Sequence, residues 1–255
     1  MAPVSFAVSA SAYDRFMGRY SGRLAPQLAD LAGVTDGQRA LDVGCGPGAL
    51  TSELVARLGS AAVTAVDPSE SFVTAARERY PGADVVLAAA EDLPFERHQF
   101  DVALAQLVVH FMSDPVSGLR EMARVTREDG IVAACVWDHG GGQGPLSVFW
   151  QAARELNPAI DDESDLPGTH EGQLAELCRA AGLRQIEEAV LSITVNHPTF
   201  EEWWEPFTLG VGPAGSYVTR LDAAAQARLR DHCRILLPDA PFELTVRAWA
   251  TRAVV

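Results

Sequence analysis

Three glycines at alternate positions, Gly44, Gly46 and Gly48, follow an acid at Asp42, and a second acid stands at Asp67. Glycine opens backbone conformations closed to other residues and lets a ligand approach the main chain with no Cβ in the way. The helix-like run that starts at Leu50 offers free N–H groups in its first turn. Asp67 ends an apolar run, Ala62–Val66, some twenty residues further on. An acid at that place can accept hydrogen bonds from the two hydroxyls of a ribose. The chemistry implied is nucleoside binding. For a reaction on a bound substrate, His110 is the best candidate proton acceptor, with His139 and Asp138 as weaker alternatives.

These residues need elements to hold them at one edge of a sheet. Strand-like apolar runs fall at 39–45, 62–66, 83–89, 100–107 and 131–137, with helical patterns at 50–58, 69–80 and 114–126 between them. Such alternation implies a parallel, doubly wound α/β sheet with right-handed crossovers. Ser21 is expected to cap a helix running to about Ala32. Beyond Trp137 the pattern changes: a glycine loop at 139–144 and helices at 145–157 and 172–181 precede a β-branched run at 184–195. A Trp203-Trp204 segment, a Gly-Pro-rich loop, a helix at 222–237 and a last strand at 242–255 follow. The expectation is one domain over 1–255, with a core at about 36–138 and lid elements at about 1–32, 139–182 and 197–241.

Composition narrows the chemistry. The 255 residues carry a net charge of -14, which argues against sequence-independent nucleic-acid binding and suits a small-molecule partner. The chain has no lysine, so Schiff-base chemistry, a P-loop lysine and a Tyr-Lys dehydrogenase pair are excluded. The four cysteines are widely spaced and read as reduced thiols. With no apolar stretch of membrane-spanning length and no charged leader ahead of Arg15, a cytoplasmic protein is expected, without a membrane partner. The acids Asp161, Asp162, Glu163 and Asp165 read as a solvated loop, and no metal site is expected, because no histidine or cysteine accompanies them at ligand spacing.

The glycine turn satisfies both the dinucleotide pattern Gly44-x-Gly46-x-x-Ala49 and the Gly-x-Gly-x-Gly turn that holds S-adenosylmethionine (SAM). Asp42 favours the second, since a carboxylate there is poorly placed near a pyrophosphate but can hold a methionine ammonium. The acidic turn Ala90-Glu91-Asp92-Leu93-Pro94-Phe95 can meet an adenine amino group, and the two terminal strands can pair as an antiparallel edge.

Taken in order, Leu41-Asp42-Val43-Gly44-Cys45-Gly46-Pro47-Gly48, Val66-Asp67-Pro68-Ser69, the 90–95 turn with Phe100-Asp101, and Leu107-Val108-Val109-His110-Phe111-Met112-Ser113-Asp114-Pro115 resemble the class I SAM-dependent methyltransferases of the type 11 (UbiE-like) small-molecule family. The segment Tyr13-Asp14-Arg15-Phe16-Met17-Gly18-Arg19-Tyr20 resembles a subgroup that often ends it in tryptophan.

The resemblance implies a Rossmann-like, mostly parallel seven-stranded sheet with an antiparallel C-terminal edge and helical lid insertions. It implies SAM as cofactor, leaving as S-adenosylhomocysteine, and methyl transfer to O, N or C of a small organic molecule. Gly44, Cys45, Gly46 and Gly48 would form the cofactor turn, Asp42 would face the methionine end, and Asp67 with Pro68 would hold the ribose. Phe72, Ala90, Glu91, Asp92 and Leu93 would surround adenine, and Gln106 and Leu107 would lie below the sulfonium. Tyr13, Arg19, Tyr20, Trp203 and Trp204 would roof the acceptor; the same aromatics serve equally as lid packing or as a homodimer contact. An NAD(P)-linked oxidoreductase and a non-catalytic SAM-binding protein are the rival readings.

Overall fold

The computed structural model describes residues 8–255. Its seven strands are β1 (Ala40–Val43), β2 (Val63–Asp67), β3 (Asp84–Leu87), β4 (Phe100–Gln106), β5 (Thr126–Trp137), β6 (Arg184–His197) and β7 (Phe242–Val254). They form one sheet in the order β3-β2-β1-β4-β5-β7-β6. The first five strands are parallel, and β7 runs antiparallel to both β5 and β6. The expected Rossmann-like sheet with an antiparallel edge is the observed one.

Helices close both faces, and the strand residues show it by their alternation. Ala40, Val102, Leu104, Ala133 and Cys135 join one cluster with α2 (Arg19–Ala32), α3 (Ala49–Leu58) and α6 (Ser147–Leu156). Leu41, Val43, Ala103, Ala105, Val132 and Ala134 join the other, with α5 (Pro115–Val125) and α7 (Gln173–Ala180). Both faces of the central strands are therefore covered, which is why they read as unbroken apolar runs. The helix α4 (Glu70–Arg79) covers β2 and β3 through Val73 and Ala76. In β6 the residues from Leu191 onward alternate buried and exposed, as befits an edge strand with one wet face.

The N-terminal segment differs from its expectation. A short helix α1 (Ala10–Tyr13), capped by the Ser9 side chain, runs through a wide turn at Asp14–Gly18 into α2. Ser21 is not a cap; it lies inside α2 with its hydroxyl donating to the Met17 carbonyl at 3.2 Å. Gly33, at φ 68°, ends the helix in the left-handed conformation that glycine takes most easily. The Gly-Pro-rich stretch expected to be loop is helical over α9 (Gly212–Arg220), where Pro213 sits in the first turn and loses no needed N–H. It follows the short α8 (Phe200–Trp204) and a 3-10 turn, and α10 (Ala223–Leu236) comes next, capped by Asp222.

Candidate active site

The carboxyl ends of β1, β2 and β4 meet at a crevice, the place where open α/β sheets bind ligands. The turn after β1 folds against β2: the Gly44 and Cys45 N–H groups donate to the Val66 carbonyl at 2.8 and 2.9 Å. Gly44 has φ 70°, and a Cβ on it would stand 2.4 Å from Val108 Cγ2. Neither the dihedral nor the space admits a side chain. The Asp67 carboxylate receives the Gly46 N–H at 2.9 Å on one oxygen and the Ser69 N–H at 2.8 Å on the other. Burial raises its pKa and these two donors oppose the shift. Each oxygen keeps a further lone pair, and the side chain lies on a cavity wall.

That cavity encloses about 750 Å³, within the range of roughly 300–1,000 Å³ typical of small-molecule sites. Of the residues expected to hold cofactor, Gly44, Gly46, Asp67, Pro68, Phe72, Ala90, Glu91, Gln106 and Leu107 line it, as do Tyr13 and His110. Tyr13 meets Phe72 edge-on, with ring centroids 5.2 Å apart, and so brings the N-terminal helix over the cavity. Gln106 donates to the Ser21 carbonyl at 3.1 Å, while its Oε1 has no partner among the described residues. Leu107 takes φ 62° at the end of β4, an unusual conformation for a non-glycine residue.

Other expected residues are placed differently. Asp42 is buried under the glycine turn, off the cavity wall, with Oδ2 accepting from Thr51 Oγ1 at 2.6 Å and Oδ1 without a partner among the described residues. Burial pushes its pKa up to about 7 against the Thr51 hydrogen bond. Gly48 opens α3, and a Cβ there would meet the Tyr80 ring at 2.4 Å, so this glycine serves packing. Cys45 is buried and off the wall. Leu93 is likewise core, and Asp92 is exposed. Glu91 Oε1 accepts the Ser113 and Asp114 N–H groups at 2.7 and 3.2 Å, tying the 90–95 turn to the start of α5.

The expected lid aromatics also divide. Arg19 and Tyr20 contact His197, at 3.3 and 3.2 Å, in a separate small cleft that Trp203 borders. Trp203 and Trp204 pack with Phe200, Phe149 and Phe207, the last two stacked at 4.5 Å, in the core beneath the lid. They do not face the large cavity.

Residues given no place in the site by the sequence complete its wall: Phe16 and Met17 within the 13–20 segment, Trp137, Leu146, Val211 and, above all, Glu163, which in sequence reads as part of a solvated loop. The acidic loop is not a solvated one at this position, since Glu163 is only 2% exposed. Asp162 pairs with Arg154, Ser164 N–H donates back to Asp162, and the Thr169 hydroxyl closes the loop on the Ser164 and Leu166 carbonyls. The Gly140 N–H then ties Thr169 to the glycine loop that carries His139. Those bonds turn Glu163 inward, where its Oε2 accepts from Trp150 Nε1 at 2.8 Å. Burial pushes its pKa up to about 7. His139 is pushed down to about 4 by burial, and His110 falls well below the usual imidazole range through burial and the nearness of His139. Both imidazoles are therefore neutral at neutral pH. Among the described residues the wall holds four carboxyl groups, Asp67, Glu70, Glu91 and Glu163, and no arginine.

The strand order, with the glycine turn and Asp67 at the carboxyl ends of β1 and β2, is that of a Rossmann-like fold of the methyltransferase type. Residues 41–134 match the type 11 family model described as a methyltransferase domain. Over 153 residues it is 30% identical to a demethylmenaquinone methyltransferase of Renibacterium salmoninarum, covering 60% of this chain and 64% of that one. A malonyl-[acyl-carrier protein] O-methyltransferase of Serratia marcescens is 31% identical over 56% of this chain and 57% of its own. The chain thus spans from a quarter to just under two thirds of the curated relatives it matches. Among solved structures, a methyltransferase of Haloferax volcanii, in complex with its Trm112 activator, superposes with a TM-score of 0.61 at 19% identity, over 96% of this chain and 94% of that one.

Proposed function

We propose that the protein is a SAM-dependent methyltransferase acting at O, N or C of a small organic molecule. The observation that carries this reading is the cavity wall itself: a side-chain-free turn and Asp67 at a nucleoside position, in a lining with four carboxyl groups and no arginine among the described residues. Such a wall suits a cationic sulfonium and disfavours the pyrophosphate of a dinucleotide. That speaks against an NAD(P)-linked oxidoreductase. No helix among the described residues is long and apolar enough to cross a membrane, and a cytoplasmic setting with a small-molecule acceptor is the reading we adopt.

When bound, SAM supplies an electrophilic methyl group. Gly44 and Gly46 would let the adenosyl part approach the backbone, Asp67 would accept from the ribose hydroxyls, and Phe72 would pack on adenine. In-line displacement depends mostly on alignment, so the tasks left to the chain are orientation, exclusion of water and removal of a proton from the acceptor. Phe16, Met17, Leu146 and Val211 supply apolar wall for the second task. For the third, the neutral His110 imidazole on the same wall is the candidate proton acceptor, although burial and His139 make it a weaker base than an exposed histidine.

Calorimetric titration with SAM, S-adenosylhomocysteine, NAD and NADP tests the reading. Binding of the two adenosyl ligands alone is expected, with Asp67→Ala abolishing it. Binding of a dinucleotide alone overturns the cofactor assignment, and an unchanged affinity in Asp67→Ala overturns the ribose assignment. Turnover with a panel of acceptors separates an enzyme from a SAM sensor. His110→Ala should cut turnover with little change in SAM affinity.

A further inference from the structure

His110, His139 and Glu163 come from three segments far apart in the chain: the turn after β4, the loop after β5 and the acidic loop beyond α6. Each offers one ligand atom, and those atoms all lie within 4.8 Å of one another. All three residues are more than nine-tenths buried and all line the large cavity. The Nδ1 atoms of both histidines have no hydrogen-bond partner among the described residues. A buried polar nitrogen left without a partner is costly, so two of them, on residues whose ligand atoms converge with that of a buried glutamate, call for an occupant. Among the described residues no arginine stands on this wall to supply a compensating charge.

We propose that His110, His139 and Glu163 bind one divalent first-row transition ion, with zinc the best match, whose open positions face the cavity. The proposal deepens the methyltransferase reading and rests on it for the ion's role. Two imidazoles and one carboxylate are a donor set that such ions take in catalytic sites, where three protein ligands leave room for a substrate oxygen. Zinc–ligand bonds of about 2.0–2.2 Å hold donors closer to one another than the 4.8 Å within which these three lie, so binding would draw them inward. The Trp150 N–H fixes the Glu163 carboxylate, as hydrogen bonds behind a ligand commonly do. Gly144 leaves room for the His139 ring, since a Cβ there would come within 2.9 Å of its Nδ1.

The ligand class follows. An acceptor bearing a hydroxyl, phenol or enol oxygen would bind the ion through that oxygen. Its O–H bond would break, the proton would pass to solvent, and the oxygen would keep the electron pair as a nucleophile near neutral pH. Under this arrangement His110 acts as a ligand, and the ion takes over the activation of the acceptor.

The test begins with the whole chain freed of metal by dialysis against a chelator, then titrated with Co²⁺ and Zn²⁺. One equivalent of Co²⁺ is expected, with visible absorption bands that Zn²⁺ displaces. Glu163→Gln and His139→Gln should each lose the bands and weaken Co²⁺ binding about 100-fold or more, and Trp150→Phe about 10-fold. Circular dichroism and S-adenosylhomocysteine titration on the same samples verify that each variant is folded. No stoichiometric cation, or binding that survives in both Glu163→Gln and His139→Gln, overturns the site. Adenosyl binding without cation binding sinks the metal site and leaves the cofactor reading standing; cation binding without adenosyl binding does the reverse.

Discussion

At the scale of single residues, the site rests on groups that tolerate little change. Gly44→Ala adds a methyl where φ is 70° and Val108 stands 2.4 Å away. The dihedral alone costs about 1–2 kcal/mol. Loss of both stability and S-adenosylhomocysteine binding is expected, and Gly44→Ala with Val108→Ala should recover part of the stability, measured by denaturant melts. Asp42 carries a pH signature. Its folded pKa is raised from 3.8 to about 7, so the folded state holds a proton that the unfolded chain gives up. Its favourable contribution is present below about pH 4 and is lost as pH rises through 7, by an amount on the order of 4 kcal/mol. Asp42→Asn, which still accepts from Thr51, should therefore gain stability relative to the parent between pH 5 and pH 8. A constant difference across that range would refute the buried, protonated carboxyl.

Residue type and local spacing made Gly44, Gly46 and Asp67 legible, because a turn and the acid that faces it depend on a short stretch of chain. Glu163 was illegible for the opposite reason. Its partners lie 24 and 53 positions away, and only the folded loop, closed by Thr169 and Asp162, reveals that one acid of four turns inward. Trp203 and Trp204 misled by composition: a tryptophan pair outside the sheet suggests a lid surface, yet their neighbours are Phe149, Phe200 and Phe207.

Among the elements, the N-terminal helical segment closes the site. Tyr13 packs on Phe72, Asp14 pairs with Arg79 of α4, and Phe16 meets Phe207 edge-on at 5.4 Å. These few contacts, the ion pair being half-exposed, hold it more weakly than the sheet holds its strands. Tyr13→Ala should weaken S-adenosylhomocysteine binding about 10-fold while shifting the melting temperature little, because the ring's main contact is with the cavity side. An equal loss of stability and affinity would assign Tyr13 to the core instead. The helical segments were readable where a periodic apolar face was long, as in α2 and α6. Over 212–220 glycine and proline masked a helix that tertiary packing of Ala214 and Val218 sustains.

For the whole molecule, the strand order sets a gradient of stability. β4 and β5 are paired on both sides and buried on both faces, whereas β3 and β6 are the two edges. Amide hydrogen exchange should be slowest in 102–106 and 131–136 and fastest in β3 and around 184–190, where Leu87 and Val190 are each 51% exposed. Uniform protection across the sheet would show that the edges share the core's cooperativity.

The position of β7 between β5 and β6 also orders the events of synthesis. Among the described residues β6 has no sheet neighbour other than β7, which leaves the ribosome some forty-five residues after it. Until then β5 presents an unpaired edge of apolar residues, and β6 waits as a lone amphipathic strand. Nascent chains halted before residue 242 should be the form of this protein most prone to aggregate and most in need of a chaperone.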